Sequence, residues 1–390
     1  MCIRGGKNVH FWILGLLLSS LGATQLYAGV MEQCYRMHNR LVGTPPNAAD
    51  LTACQTLVEQ GQSYEAALAM TEQDRFFSGT LRYTFSPWTN EDDNLVVDLN
   101  DMSATLIGIV RDDLDFREAL SGDIIYTCQE GQGVPAFQLN SNEHYQACGD
   151  AGNLKTALVR GTQTALNPAL ANQTGVPAGV YTTRAFAMAY YEAGTNRAAT
   201  AHTLKNFLCE EIDYFNDTTI ADFRIRQDVD RAPGGSPKTF INECKGCHAG
   251  MDPLTGAFAY LNWDDEETVM TFTPGEVVRK FFNNASTFPS GFRTEDDGWA
   301  NLWTKGQNAR IGWNVTSDEP SGNGPKSFGE MMANTDQFTS CMAKTALEKV
   351  CLQDVDLKDD KTKTLAGFFK ENNYNMRQLF AKSATLCMGE

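Results

Sequence analysis

Long apolar runs, basic charge and strand-forming stretches are all scarce in this 390-residue chain, and each shortage excludes a class. Beyond residue 28 no stretch approaches the ~18 consecutive apolar residues that mark a membrane-spanning helix. Lys and Arg number 32 against 48 Asp and Glu, a net charge of −16 with the five histidines neutral. A chain this acidic lacks the electrostatic footprint of a nucleic-acid binder. Only Thr80–Phe85 and Val269–Phe272 read as strands. No Walker loop, Rossmann glycine fingerprint, H-E-x-x-H or G-x-S-x-G occurs, so the usual signatures of nucleotide binding, zinc proteolysis and serine hydrolysis are missing.

Residues 1–28 read as a secretory leader. Arg4 and Lys7 form a positive start, Phe11 to Ala23 is apolar but short for a span, and Leu26-Tyr27-Ala28 ends on a small residue. Removing the leader takes those two cations away and moves the net charge from −16 to −18. It also removes Cys2 from the eleven cysteines and leaves ten. The expected location is periplasmic or extracellular in a bacterium, an oxidising compartment where cysteines pair.

The remaining chain reads as mainly α: helical units with long disulfide-tied loops. Asn47 can cap a helix carrying Leu51, Cys54, Leu57 and Val58 on one face, and Ser63 can cap the next. Further helices are expected at Met102–Val110, Phe186–Tyr191 and Ala198–Ile212. Cys128 to Asp150 is rich in turn-forming residues and reads as irregular. The tail carries a stripe at Met376, Leu379, Phe380, Ser383 and Cys387 that should bury. Trp299, Trp303 and Trp313 should anchor the loop-rich stretch 283–326. A boundary at Thr174–Gly179 divides the chain into an N-terminal helical domain, 29–175, and a second domain, 176–390.

One pattern carries chemistry. Cys244-Lys245-Gly246-Cys247-His248 is the C-x-x-C-H arrangement of c-type haem attachment. Two cysteines three apart on a helical turn reach the two vinyl groups of one haem, and the adjacent imidazole then lies where it can ligate iron. A zinc site would want a second ligand pair, and a thioredoxin-like motif would want a preceding strand, which Pro233-Gly234-Gly235-Ser236-Pro237 does not supply. Two thioether cysteines leave eight others, enough for four disulfides. Proximity suggests Cys34–Cys54 and Cys128–Cys148, with bridging among Cys341, Cys351 and Cys387 and a long-range partner for Cys209.

The segment after the motif, Met251-Asp252-Pro253-Leu254-Thr255-Gly256-Ala257-Phe258-Ala259 and then Asn262-Trp263-Asp264, resembles the planctomycete-type secreted cytochrome c family. Upstream, Gly179-Val180-Tyr181-Thr182-Thr183, Thr195-Asn196-Arg197 and Leu204–Cys209 follow that family's order. Phe338-Thr339-Ser340-Cys341 and Asn39–Pro46 are similar to its C-terminal and N-terminal units. The chain departs from the pattern by one extra residue between Pro253 and Gly256, and by Tyr260 where the family tends to carry Glu. The resemblance implies a haem c-binding domain with C-terminal helices.

The expectation is a secreted monohaem c-type cytochrome that transfers electrons, with Cys244, Cys247, His248 and Met251 around one covalent haem c. His248 is the proximal iron ligand. Met251 lies on the same side and packs rather than ligates. Met331 or Met332 is the expected distal ligand. The alternative is a haem enzyme, peroxidase-like or substrate-oxidising, with an open distal site. The acidic chain suits a basic redox partner protein.

Overall fold

The computed structural model describes residues 28–389 apart from 132 and 174. The expected leader, but for Ala28, lies outside the described residues. Helix takes up 55% of the structure and strand 7%, which makes the fold mainly α. The longer helices are α1 (Val30–Val42), α2 (Ala48–Glu59), α3 (Ser63–Met70), α4 (Asp101–Arg111), α5 (Glu143–Ala151), α6 (Arg184–Tyr190), α7 (Arg197–Leu208), α8 (Lys245–Thr255), α9 (Gly324–Ala333), α10 (Asp336–Cys351), α11 (Asp360–Glu371) and α12 (Met376–Thr385). Among the described residues none is long and apolar enough to cross a membrane.

Helix ends follow local chemistry. The Asn47 side chain accepts from the Ala49 and Asp50 amides and starts α2. The Asn100 side chain accepts from the Ser103 amide while Ser103 returns a bond to the Asn100 amide, a reciprocal cap on α4. Ser63 is the first residue of α3, with Gln62 at the cap position.

α4 is the central post, buried from Asp101 to Val110. Gly108 lets the Tyr126 ring lie against it; a Cβ there would stand 2.2 Å from the ring. The Asp101 carboxylate accepts from the Ala185 amide at 3.0 Å and the Met102 amide at 2.9 Å. It also accepts from the Arg184 amide, and so clamps the start of α6 onto α4.

The tail helices pack on the N-terminal ones. Phe76 meets Phe380 edge-on at 5.6 Å and Tyr64 meets Phe368 at 5.8 Å. Arg377 of α12 pairs with Glu72 and Asp113. The expected tail stripe is buried at Met376, Leu379, Phe380 and Ser383. Trp299, Trp303 and Trp313 are buried as well. One core cluster runs from Cys34 to Ala384.

Strands occur, among the described residues, as three antiparallel ribbons: β1 (Ile125–Cys128) with β2 (Leu158–Gly161), β3 (Leu261–Asp264) with β4 (Val269–Phe272), and β5 (Gly298–Ala300) with β6 (Ser321–Asn323). The Val269–Phe272 strand is as expected, with Trp263 opposite Met270. Thr80–Phe85 is helical instead. Its β-branched and aromatic content suggested a strand, but Phe77, Leu81 and Phe85 are all buried, and their four-residue spacing is that of a helix face. The stretch 128–150 is not wholly irregular, since it holds the end of β1 and most of α5.

Four disulfides tie these elements: Cys34–Cys54, Cys128–Cys148, Cys209–Cys341 and Cys351–Cys387. The first two are the proximity pairs, and Cys209 finds its partner 132 residues away. This density of bridges fits an oxidising compartment.

Candidate functional site

The chain enters α8 through a wide turn, Phe240–Cys244, and a short 3-10 turn at Pro233–Gly235 precedes it rather than a strand. Cys244 and Cys247 are the free cysteines among the described residues, three apart around this first helical turn. Both are half-buried, as is His248. Burial pushes the Cys247 thiol up, and the nearby Asp213 carboxylate adds to the shift. A thiol held protonated is a poor attacking group for disulfide exchange. Cys244 packs against a small apolar cluster, Ile225, Val229, Phe240 and Ala249, separate from the main core.

Helical periodicity divides α8 into two faces. Cys244, Cys247, His248, Met251 and Asp252 share one. Gly246 and Gly250 occupy the other, where loop residues press on the backbone. A Cβ on Gly246 would stand 1.7 Å from Asn216 Oδ1, and one on Gly250 would stand 2.0 Å from Trp303 Nε1. The two glycines let Asn216 and Trp303 seal the back of the helix, while Cys244, Cys247 and His248 on the other face are half-buried.

A charge network orients the imidazole. His248 Nδ1 lies 3.0 Å from Asp252 Oδ1. Asp252 is buried and carries four donors: Arg197 Nε at 2.7 Å and Nη2 at 3.0 Å, the Arg226 amide at 2.9 Å, and His248 itself. Asp228 takes the rest of the Arg197 fork at 2.7 and 2.8 Å. The Arg197 guanidinium holds the Asp252 carboxyl well below the usual carboxylate range, with the His248 and Arg197 hydrogen bonds adding to it, against the opposing effect of burial. An ionised carboxylate only accepts, so Nδ1 carries a proton, and in the neutral imidazole Nε2 is then the nitrogen with the lone pair. A carboxylate behind a histidine is the usual support of a metal-ligating imidazole. Arg226 is buried and donates to the Thr195 and Asp252 carbonyls; desolvation pulls it down to about 10.

Asn196 completes the support. Its side chain donates to the Phe258 and Leu261 carbonyls at 2.8 and 2.9 Å, tying the start of α7 to the turn after α8. Sequence reading placed Thr195-Asn196-Arg197 in the resemblance without assigning it a role. Arg197, Asp228 and Arg226 escaped it altogether as site residues, because a partner 55 positions away in the chain leaves no local signal.

Met251 is buried on the cysteine face. Met331 and Met332 lie on α9, which packs against the turn Gly256–Phe258. The Met331 sulfur accepts from Asn301 Nδ2 at 3.5 Å. Asn301 also accepts from the Trp303 amide, and Trp303 covers Gly250. Met331 is thus linked to α8 through its glycine face. Met332 is sealed in the core. Among the described residues no three His, Cys, Asp or Glu side chains converge as a metal cluster. A groove of about 250 Å³ adjoins the site, lined by Asp217, Ile220, Phe223, Leu302, Lys305 and Asp318 among others; the Asp217 amide bonds the Gly246 carbonyl at 3.2 Å.

Comparison with protein-family models, with characterised proteins and with solved structures returns no match. The reading of the site therefore rests on its residues.

Proposed function

We propose that the chain is an exported monohaem c-type cytochrome of the planctomycete-type family, working in electron transfer with a basic redox partner. One observation carries it: among the described residues eight cysteines are closed in disulfides, and the two left free are those of C-x-x-C-H, half-buried on one helical turn. In an oxidising compartment two such thiols invite pairing or another covalent use. The donor set fits haem c. Cys244 and Cys247 would form the thioethers, and the His248 Nε2 lone pair would ligate the iron. Bound haem supplies one-electron chemistry at a potential set by its ligands and surroundings. Asp252 fixes the tautomer and direction of the imidazole and raises its basicity. Arg197 and His248 keep Asp252 ionised. Ile225, Val229, Phe240 and Ala249 offer an apolar seat beside Cys244. Met251 shares that face.

A second reading, a haem enzyme with an open sixth position, is favoured by the placement of the expected distal ligands. The Met331 sulfur already takes a hydrogen bond from Asn301 and Met332 is fully buried, so neither presents a free sulfur.

Protein secreted from a host with c-type maturation tests both readings. The expected pyridine haemochrome is that of a two-thioether haem, one per chain, with intact mass raised by one haem. Cys247→Ala should lose that spectrum. Two titratable thiols with no haem absorbance would overturn the proposal. A ferric charge-transfer band from methionine would favour electron transfer through Met331 or Met332, and a high-spin ferric spectrum would favour the enzyme.

A further inference from the structure

Among the described residues three acidic side chains are buried: Asp101, Asp217 and Asp252. Two of them are fully engaged. Backbone amides enclose Asp101, and Arg197, His248 and the Arg226 amide face Asp252. Asp217, only 6% exposed, is engaged on one side. Its Oδ1 accepts from the Thr219 amide at 3.0 Å and from the Thr219 hydroxyl at 2.6 Å. Its Oδ2 takes no hydrogen bond from the described residues, and no Lys, Arg or His pairs with it. A carboxylate drawn out of water without a cation is costly, and a partner that brings one relieves that cost.

Asp217 lines the groove of about 250 Å³ that adjoins the cysteine helix. Gly306 lines it too, and a Cβ there would stand 3.1 Å from Asp217 Oδ2 with nothing else within 4 Å. Glycine at 306 thus leaves the oxygen uncovered on the groove side. Phe223, Ile220 and Leu302 give the groove an apolar wall, and Phe223 is 62% exposed. Arg224 already lies 5.8 Å from the Phe223 ring, so the ring offers apolar contact rather than a second cation–π pair. The groove's own cation is engaged elsewhere, since Lys305 pairs with Asp318 at 2.7 Å. Lys245, on α8, donates to the Thr218 carbonyl. Three carboxylates, Asp217, Asp318 and Glu319, therefore share one lining ammonium. An uncompensated carboxylate oxygen beside an exposed apolar wall suits a cationic head carried on an aliphatic chain.

We propose that this groove binds an aliphatic primary ammonium compound. Asp217 Oδ2 accepts from the ammonium, and Phe223, Ile220 and Leu302 cover the chain. The site does not depend on the haem c reading, because binding is read without haem absorbance. It adjoins that chemistry all the same, since the Asp217 amide bonds the Gly246 carbonyl inside C-x-x-C-H. Calorimetric titration of butylammonium into the full secreted chain tests it, at about 0.15 M salt so that diffuse attraction to an acidic surface is screened. One saturable site is expected. Butanol, which lacks the charge, should bind at least ~10-fold more weakly. Asp217→Asn should weaken butylammonium about 10–150-fold, and Phe223→Ala about 3–10-fold. Tyr214→Ala, at an exposed ring outside the groove, is the control and should leave the affinity in place. Circular dichroism is measured on every variant. Folded wild type with no saturable binding would overturn the proposal, as would butanol binding as tightly as butylammonium. Displacement of butylammonium by equimolar calcium would overturn it too, by making the groove a site for inorganic cations. Wild-type affinity in folded Asp217→Asn would overturn the role of the carboxylate. An Asp217→Asn chain that does not fold leaves Phe223→Ala to decide, where unchanged affinity would place the ligand outside this groove and overturn the proposal. A chain that binds butylammonium but carries no haem c would overturn the haem reading alone.

Discussion

α4 and α8 each begin a buried acid's story in opposite ways. Asp101 at the start of α4 is enclosed by backbone amides, and burial pushes its carboxyl up despite them. Asp252 on α8 is as deeply buried, but Arg197 and His248 face it, and its carboxyl goes down. Two aspartates of similar burial thus do different work. The first clamps one helix onto another. The second is a fixed negative charge behind an imidazole. The same division runs through the rest of the molecule: every buried side-chain polar atom without a partner, among the described residues, falls between Thr195 and Asn308, the stretch that holds α8. Outside that stretch the buried side-chain polar atoms of the described residues all find partners, and within it the unpartnered ones lie on the segments around α8 rather than on α8 itself.

Substitution should separate the two acids. Asp252→Asn removes the charge that compensates Arg197 and Arg226 and should cost ~3–5 kcal/mol of unfolding free energy. Asp101→Asn keeps one oxygen for the amides but turns an NH2 toward a donor, and should cost ~1–3 kcal/mol. Urea unfolding of the two variants checks the order. Equal losses would mean that Asp252 is a clamp like Asp101, and the electrostatic contrast would fall.

The histidines extend the contrast. His248 spends Nδ1 on a carboxylate and keeps Nε2. His202 on α7 lies in an aromatic cage of Phe186, Tyr190 and Phe207 and spends Nε2 on the Trp88 carbonyl at 2.8 Å. Desolvation pulls its pKa down to about 4. Between pH 6.5 and 4 the unfolded chain binds a proton there that the folded chain refuses. Stability should fall by up to ~3 kcal/mol as pH drops through that window, with no further loss from this group below it. The difference between wild type and His202→Phe, measured in urea at pH 7 and at pH 4.5, isolates the effect. Parallel pH profiles would show that His202 is protonated as easily in the fold as outside it.

Features with a local cause were legible in the sequence. The Asn47 cap, the tail stripe from Met376 and the disulfides between cysteines 20 residues apart all follow from neighbours along the chain. C-x-x-C-H was legible for the same reason, since its chemistry lies within one helical turn. Thr80–Phe85 misled because residue preference for strands lost to burial of Phe77, Leu81 and Phe85 on one helix face. Asp252 stood in the segment after the motif, but neither its place behind His248 nor what holds it was legible. Arg197 reaches Asp252 from another element and Asp228 holds the other side of Arg197, and only the fold decides which arginines and aspartates meet, so no spacing rule points to them.

The smallest effects test the backs of the two helices. Gly108 on α4 lies under the Tyr126 ring and Gly250 on α8 lies under Trp303, each too close to admit a Cβ. Gly108→Ala and Gly250→Ala should each cost ~1–3 kcal/mol by overpacking. Gly367 on α11 is exposed with nothing within 4 Å of a Cβ, and Gly367→Ala should instead gain about 1 kcal/mol from helix propensity. Thermal unfolding ranks the three. The two buried glycines differ in what else they move. Tyr126 packs far along the chain from the cysteine motif, so, under the haem c proposal, Gly108→Ala should leave the optical spectrum unchanged. Trp303 presses on the helix that presents Cys247 and His248, so Gly250→Ala should shift the spectrum as well as the melting temperature. If both variants lose stability and neither moves the spectrum, α8 is only another packed helix, and the distinction between its sealed glycine face and its half-buried cysteine face has no chemical consequence.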